Sequence, residues 1–196
     1  MPFPMLVEKA QGAKLTDIDG FRIDDFCLGD TGSMFGHSPK SVAKAIERQA
    51  QRGLTYMLPT PEAMEVGQLL CARFGAYQWQ IATTATDANR FAIRVARAVT
   101  RRPKILVFNG CYHGTVDETM VTLKGGRTVT RPGLLGQFAD LSLSAVCCEF
   151  NDLAAVAAAL AAGDVAAILT EPVMTNSCMV LPDAGFHDGL RELATQ

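Results

Sequence analysis

The sequence predicts an α/β protein built on a largely parallel sheet, and three observations carry that prediction. From residue 79 onward, strand-like and helix-like segments alternate, the order that produces parallel sheets. One strand-like segment, KILVF (104–108), is apolar throughout, as a strand buried on both faces should be. Polar clusters follow three of these strands: Thr83–Asp87 after 79–83, Asn109–Gly114 after 104–108 and Glu171–Asn176 after 165–170. Ligands collect beyond the carboxyl ends of such strands, so three clusters in register point to one pocket.

The elements can be justified in order. LTDIDGFRIDD (15–25) alternates apolar and polar residues around Asp19-Gly20, a strong hairpin signal. Asp24, Asp25 and Asp30 read as hairpin and turn residues, and His37 as part of a loop-to-helix junction. Ser38 can cap a helix with Pro39 at its first position, an apolar stripe of Val42, Ala45, Ile46 and Ala50, and a stop at Gly53. A second helix opens at Thr60-Pro61, carries Met64, Leu69 and Leu70, and ends at Gly75. WQIAT (79–83) is strand-like, and DANRFAIRVARAVT from Asp87 is helical, with Ala92, Val95, Ala96 and Val99 at helical spacing. After KILVF comes the loop NGCYHG, then a glycine- and threonine-rich stretch (125–145) expected to be loop or lid. SAVCCEF is another strand; Asn151-Asp152 caps the helix 153–162; VAAILT (165–170) is a strand running into Glu171-Pro172. A last helix spans Gly185 to Ala194, with His187 expected at the surface.

Composition narrows the function classes. Nearly half of the 196 residues are apolar, and a formal charge of −2 with interspersed signs gives no basic footprint for nucleic acid. The most apolar run (154–170) is broken by Gly163-Asp164 and is too short to cross a bilayer, and no signal peptide is visible at the start. The six cysteines include no C-x-x-C pair, so they read as reduced, buried small hydrophobes of a cytoplasmic protein, with no metal site.

Each cluster admits a functional and a structural reading. Thr83, Thr84 and Thr86 precede a helix whose first N–H groups are unpaired, a setting that suits a phosphate; a single threonine there would merely cap the helix. Neither G-x-x-x-x-G-K-[ST] nor G-x-G-x-x-G is present, which removes the common nucleotide signatures. Tyr112 offers a flat face for an aromatic ligand, although a Tyr-His pair after a strand can equally be packing. Glu171 ends an apolar strand and must be paired or hydrogen-bonded, in a site or in a structural ion pair.

Taken in order, DIDGFRIDDF, GHSPKSVAKAI, TTATDA, AIRVARAVTRRPKILVFNGCYHG and AAILTEPVMTN resemble the class III aminotransferases, from about residue 12 to 195. The nearest branch resembles glutamate-1-semialdehyde aminomutase. The resemblance implies the aspartate-aminotransferase fold (fold type I), pyridoxal 5′-phosphate as cofactor, and a homodimer acting on a small amino donor and a keto acceptor. It implies an N-terminal segment over 1–55 on the small-domain side and an incomplete cofactor-binding large domain over 56–196.

The family's phosphate turn, S-G-T-E-A, stands here as Thr84-Ala85-Thr86-Asp87-Ala88, so the resemblance assigns phosphate to Thr84, Ala85 and Thr86. Ala85 replaces a glycine and restricts the backbone there. Tyr112 and His113 match the family's Y-H-G, whose tyrosine stacks on the pyridine ring. Glu171 would line the site, and Asn176 would stand near the cofactor's phenolic oxygen. The Schiff-base lysine is expected beyond Gln196, because lysines 9, 14, 40, 44, 104 and 124 all precede the E-P-V strand end; the chain then reads as a fragment inactive alone. An aminomutase, a binding or assembly module that keeps a phosphate site, and a nucleotide-binding α/β domain are the alternatives.

Overall fold

The computed structural model describes residues 5–196, which divide into two compact units: the first ends at Tyr77 and the second is Gln78–Gln196. In the first unit, β1 (Val7–Gln11), β2 (Lys14–Asp17) and β3 (Arg22–Asp24) form an antiparallel sheet in that order. The expected hairpin is β2–β3, and Asp17 closes its turn by accepting the N–H groups of Asp19 and Phe21. His37 is stapled to this sheet, exchanging backbone hydrogen bonds with Gly12 and placing Nε2 2.6 Å from Asp25 Oδ2.

Helices α1 (Lys40–Ala50) and α2 (Pro61–Phe74) follow. Ser38 does not cap α1: it sits at φ 50° and its hydroxyl donates to the Ala10 carbonyl, which leaves Pro39 as the N-cap. Pro61 opens α2 and Gly75 closes it with φ 108°, as expected. No described residue before Gln78 is buried, and the apolar stripe of α1 is open, with Val42 and Ile46 exposed.

The second unit owns the core. Its elements are α3 (Ala85–Thr100), β4 (Lys104–Phe108), β5 (Val121–Lys124), β6 (Arg127–Thr130), β7 (Ala145–Cys148), α4 (Leu153–Leu160), β8 (Val165–Ile168) and α5 (Phe186–Thr195). The sheet runs β7-β4-β8, all parallel, with β4 central and Ile105, Leu106, Val107 and Phe108 buried. Parallel pairing brings the ends of β4, β7 and β8 to one edge, where Phe108, Phe150 and Phe186 meet edge-on with centroids 4.7–5.6 Å apart.

Three expectations need correction. WQIAT forms no strand and belongs to none of the described sheets. Part of 125–145 is no lid, since β6 pairs with β5 in a tight hairpin turned at Gly125-Gly126. On α3, Val95 and Val99 are exposed, and the inward face carries Ile93 with Asn89 and Arg97. Arg97 faces inward because its guanidinium is used: it bonds Glu118 and the carbonyls of Pro103 and Ser144.

The cysteines split. Cys111, Cys147 and Cys148 are buried, whereas Cys27 and Cys178 are exposed, and all are free thiols. Burial pushes the Cys147 thiol up to about 12, so it is an inert packing group.

Candidate functional site

The three polar clusters meet within the second unit, through hydrogen bonds between residues far apart in sequence. The first cluster starts α3, two residues earlier than expected. Thr84 is the N-cap; its Oγ1 accepts the Asp87 N–H at 3.1 Å and donates to Asp87 Oδ2 at 2.8 Å. The Thr84 hydroxyl is therefore engaged in capping. The N–H groups of Ala85 and Thr86 have no acceptor among the described residues. Thr86 Oγ1 accepts from the N–H of Thr115 at 3.1 Å, which leaves its proton free to donate. Two amides and one hydroxyl at the positive end of a sixteen-residue helix form an anion cradle.

The second cluster, the loop after β4, is held through the Asn109 side chain and through several of its backbone groups. Asn109 donates to Glu149 Oε1 at the end of β7 and accepts from Thr122 and Leu123 of β5. The Gly110 carbonyl accepts from Ser177 Oγ at 2.8 Å, and the Cys111 carbonyl from Arg131 Nη2 at 2.9 Å. The Tyr112 N–H donates to Glu171 Oε1, and the His113 carbonyl accepts from Asn89 Nδ2. Gly114 sits at φ 79° against Thr86, where any Cβ would collide with Thr86 Oγ1. What this frame presents is the Tyr112 ring, 52% exposed.

His113 is buried, and its Nε2 has no partner among the described residues. Burial holds the imidazole below its ordinary value, Glu171 opposes that and Arg131 adds to it, so the ring is neutral at pH 7.

In the third cluster, Glu171 Oε2 accepts from both the N–H and the hydroxyl of Thr175, while Oε1 holds Tyr112. Asn176 lies in the following 3₁₀ turn, exposed, with no side-chain hydrogen bond among the described residues. Its neighbours Thr175 and Ser177 are the ones spent on structure. Pro172 offers its carbonyl to His187 Nε2 at 2.8 Å, so that histidine is a half-buried strut and not a surface group.

The structure thus brings Thr86 to Gly114, and Tyr112 to Glu171, on one edge of the sheet. Arg131, Thr115, Asn89, Ser177 and Thr175 support them. No local signal in the sequence marks Arg131, Thr115, Asn89 and Ser177, whose partners lie far off in the chain; Thr175 belongs to the third cluster itself, four residues from Glu171.

As a fit test for pyridoxal phosphate, the residues present match its parts: the cradle suits the phosphate, the Tyr112 ring suits the pyridine, and the unsatisfied buried His113 Nε2 shows the region to be short of one polar partner.

Comparisons with known proteins address the chain as a whole. The family model for aminotransferase class-III matches residues 1–196. Glutamate-1-semialdehyde 2,1-aminomutase of Saccharolobus islandicus (strain L.S.2.15 / Lassen #1) is 36% identical over 196 residues, covering 98% of this chain and 46% of that protein. The crystal structure of a glutamate-1-semialdehyde-aminomutase from Pseudomonas aeruginosa PAO1 is 54% identical with a TM-score of 0.95, covering 98% of this chain and 43% of that one. The Pseudomonas protein is also known in complex with PMP. A transaminase with PLP bound is 29% identical, with a TM-score of 0.88, over 99% of this chain and 46% of that one. The chain spans less than half the length of these relatives.

Proposed function

The chain belongs to the aminotransferase class-III family, and from that premise we propose that its second unit is the cofactor-binding part of a pyridoxal-phosphate enzyme that moves amino groups. In this reading, residues 1–55 belong to the small-domain side and 56–196 to the large domain. The observation that carries it is the junction of the α3 N-terminus with the Tyr112 loop through Thr86, Thr115 and Gly114. That junction sets an anion cradle beside an exposed aromatic face.

Each residue then has a task. The N–H groups of Ala85 and Thr86 and the Thr86 hydroxyl hold the phosphate, while Thr84 keeps the helix end open by capping the next N–H. Tyr112 supplies a flat apolar wall that orients the ring and excludes water from one face. Glu171 keeps Tyr112 in place, and Asn176 has an uncommitted amide to direct at the ring's oxygen. Pyridoxal phosphate, when bound, supplies the electron sink for breaking a bond at the carbon that bears the amino group.

The whole protein would act on a small amino donor and a keto acceptor as a cytoplasmic homodimer. No helix among the described residues is long and apolar enough to cross a membrane. An aminomutase, which shifts an amino group within one molecule, is the second reading, favoured by the 54% identity to the Pseudomonas aeruginosa protein.

This chain alone should not turn over. Of the two lysines in the second unit, Lys104 begins β4, far from the strand ends, and is ion-paired with Asp164 at 2.8 Å. Lys124 closes β5 at the hairpin turn. Titration with pyridoxamine 5′-phosphate should show saturable binding that Thr86→Ala weakens. An assay with amino donor, α-keto acid and pyridoxal phosphate should show no turnover above the cofactor's own background. Failure to bind pyridoxamine phosphate would sink the cofactor assignment; turnover would sink the inactivity.

A further inference from the structure

We propose that Arg131 is a positioning residue that, together with Glu171, locks the peptide unit preceding Tyr112 and so fixes where the tyrosine side chain leaves the backbone. The inference rests on the reading of Tyr112 as the ring-stacking wall.

One peptide group is gripped at both of its polar ends. The carbonyl of Cys111 accepts from Arg131 Nη2 at 2.9 Å, and the N–H of Tyr112 donates to Glu171 Oε1 at 3.1 Å. These two groups belong to the same planar unit, so fixing both ends fixes its orientation and the direction in which Tyr112 leaves the backbone. The charges match the peptide dipole, with the cation at the oxygen and the anion at the hydrogen. Both bonds are charge-assisted, the stronger class in proteins.

Arg131 is anchored for this task. Its own N–H donates to the Met120 carbonyl at 2.9 Å, just past the end of β6. Its half-buried guanidinium forms no ion pair with a carboxylate among the described residues, so it is no surface salt bridge. Nor does it serve a thiolate, since burial keeps Cys111 and Cys147 protonated despite its charge. The Cys111 carbonyl is the hydrogen-bond partner that accounts for it.

The test uses the full chain with Arg131→Met, which keeps an apolar stem, and Arg131→Lys, which keeps a cationic donor. Hydrogen exchange of individual amides is followed by NMR, and affinities for pyridoxamine 5′-phosphate and inorganic phosphate are measured. In Arg131→Met, the Tyr112 amide should exchange about tenfold faster while Ile105–Phe108 are unchanged, as expected for loss of one charge-assisted bond. Pyridoxamine phosphate should bind about tenfold more weakly with inorganic phosphate unaffected, and Arg131→Lys should restore most of both. Unchanged exchange at Tyr112, or equal acceleration along β4, would overturn the clamp. If the unsubstituted chain bound no pyridoxamine phosphate, the cofactor reading would fall, and exchange at Tyr112 would still decide the clamp.

Discussion

The backbone N–H of Tyr112 donates to Oε1 of Glu171 at 3.1 Å, across 59 residues of chain. That bond ties the loop after β4 to the end of the β8 strand, and Glu171 also holds Thr175 through its second oxygen. Replacing Glu171 with Ala leaves three donors without their acceptor and should cost about 1–3 kcal/mol of stability. Glu171→Gln keeps one oxygen acceptor and should cost less. Urea unfolding of the two variants checks this; equal losses would mean that one amide oxygen restores none of the bonding and that the whole carboxylate is needed.

Thr84 and Thr86 should separate stability from binding. Thr84 is the helix cap, so Thr84→Ala should lower stability by about 1 kcal/mol and change phosphate affinity little. Thr86 keeps its hydroxyl proton free to donate to an anion, so Thr86→Ala should weaken phosphate or pyridoxamine phosphate about tenfold. Thr86→Ser should recover most of that binding. Paired urea unfolding and calorimetric titration read both effects, and a phosphate loss in Thr84→Ala equal to that in Thr86→Ala would mean that the two roles are not separate.

The helix beginning at Ala85 shows where sequence reading succeeds and where it cannot. Its existence was legible from period 3.6, and the candidate site at its start from the threonines beside a helix N-terminus. Its inward face was not legible. Val95 and Val99 look like core and are open, while Asn89 and Arg97 look like surface and point inward, because each finds carbonyls contributed by distant loops. Periodicity measures apolar spacing and is blind to a polar group with a buried partner. The same blindness hid Arg131 and Ser177, whose only signal is three-dimensional. WQIAT failed for a different reason: β propensity needs a neighbouring strand to be realised, and the segment belongs to none of the described sheets.

Gly114 tests the junction between the cradle and the Tyr112 loop. It holds φ 79°, and an added Cβ would collide with Thr86 Oγ1 and press against Thr86 Cα. Gly114→Ala should cost about 1–3 kcal/mol through the strained backbone and displace the Thr86 hydroxyl, so binding should fall with it. Gly125→Ala is the control: it too has positive φ, but its Cβ would meet open space. It should lose a little stability and no phosphate affinity. If Gly114→Ala bound phosphate normally, the close approach would have no part in the site.

His113 gives the fold a distinctive response to acid. Burial lowers its folded-state value below the ordinary 6.5, with Glu171 opposing and Arg131 assisting. Well above pH 6.5 neither the folded nor the unfolded chain protonates it, and the group contributes no slope. Below that, the unfolded chain takes up a proton that the folded chain refuses until its own lower value is reached. Stability therefore falls through that window as the pH drops, by up to about 1.4 kcal/mol per pH unit from this residue. Asp25 acts elsewhere: the hydrogen bond from His37 lowers its folded value below 3.8, so its contribution disappears only in stronger acid. Urea unfolding between about pH 7.5 and pH 5 should show the decline in the unsubstituted chain and a flatter line in His113→Gln, whose side chain carries no titrating proton. Parallel lines for the two proteins would mean that His113 is protonated as readily folded as unfolded, and that its ring is not buried in the way the structure describes.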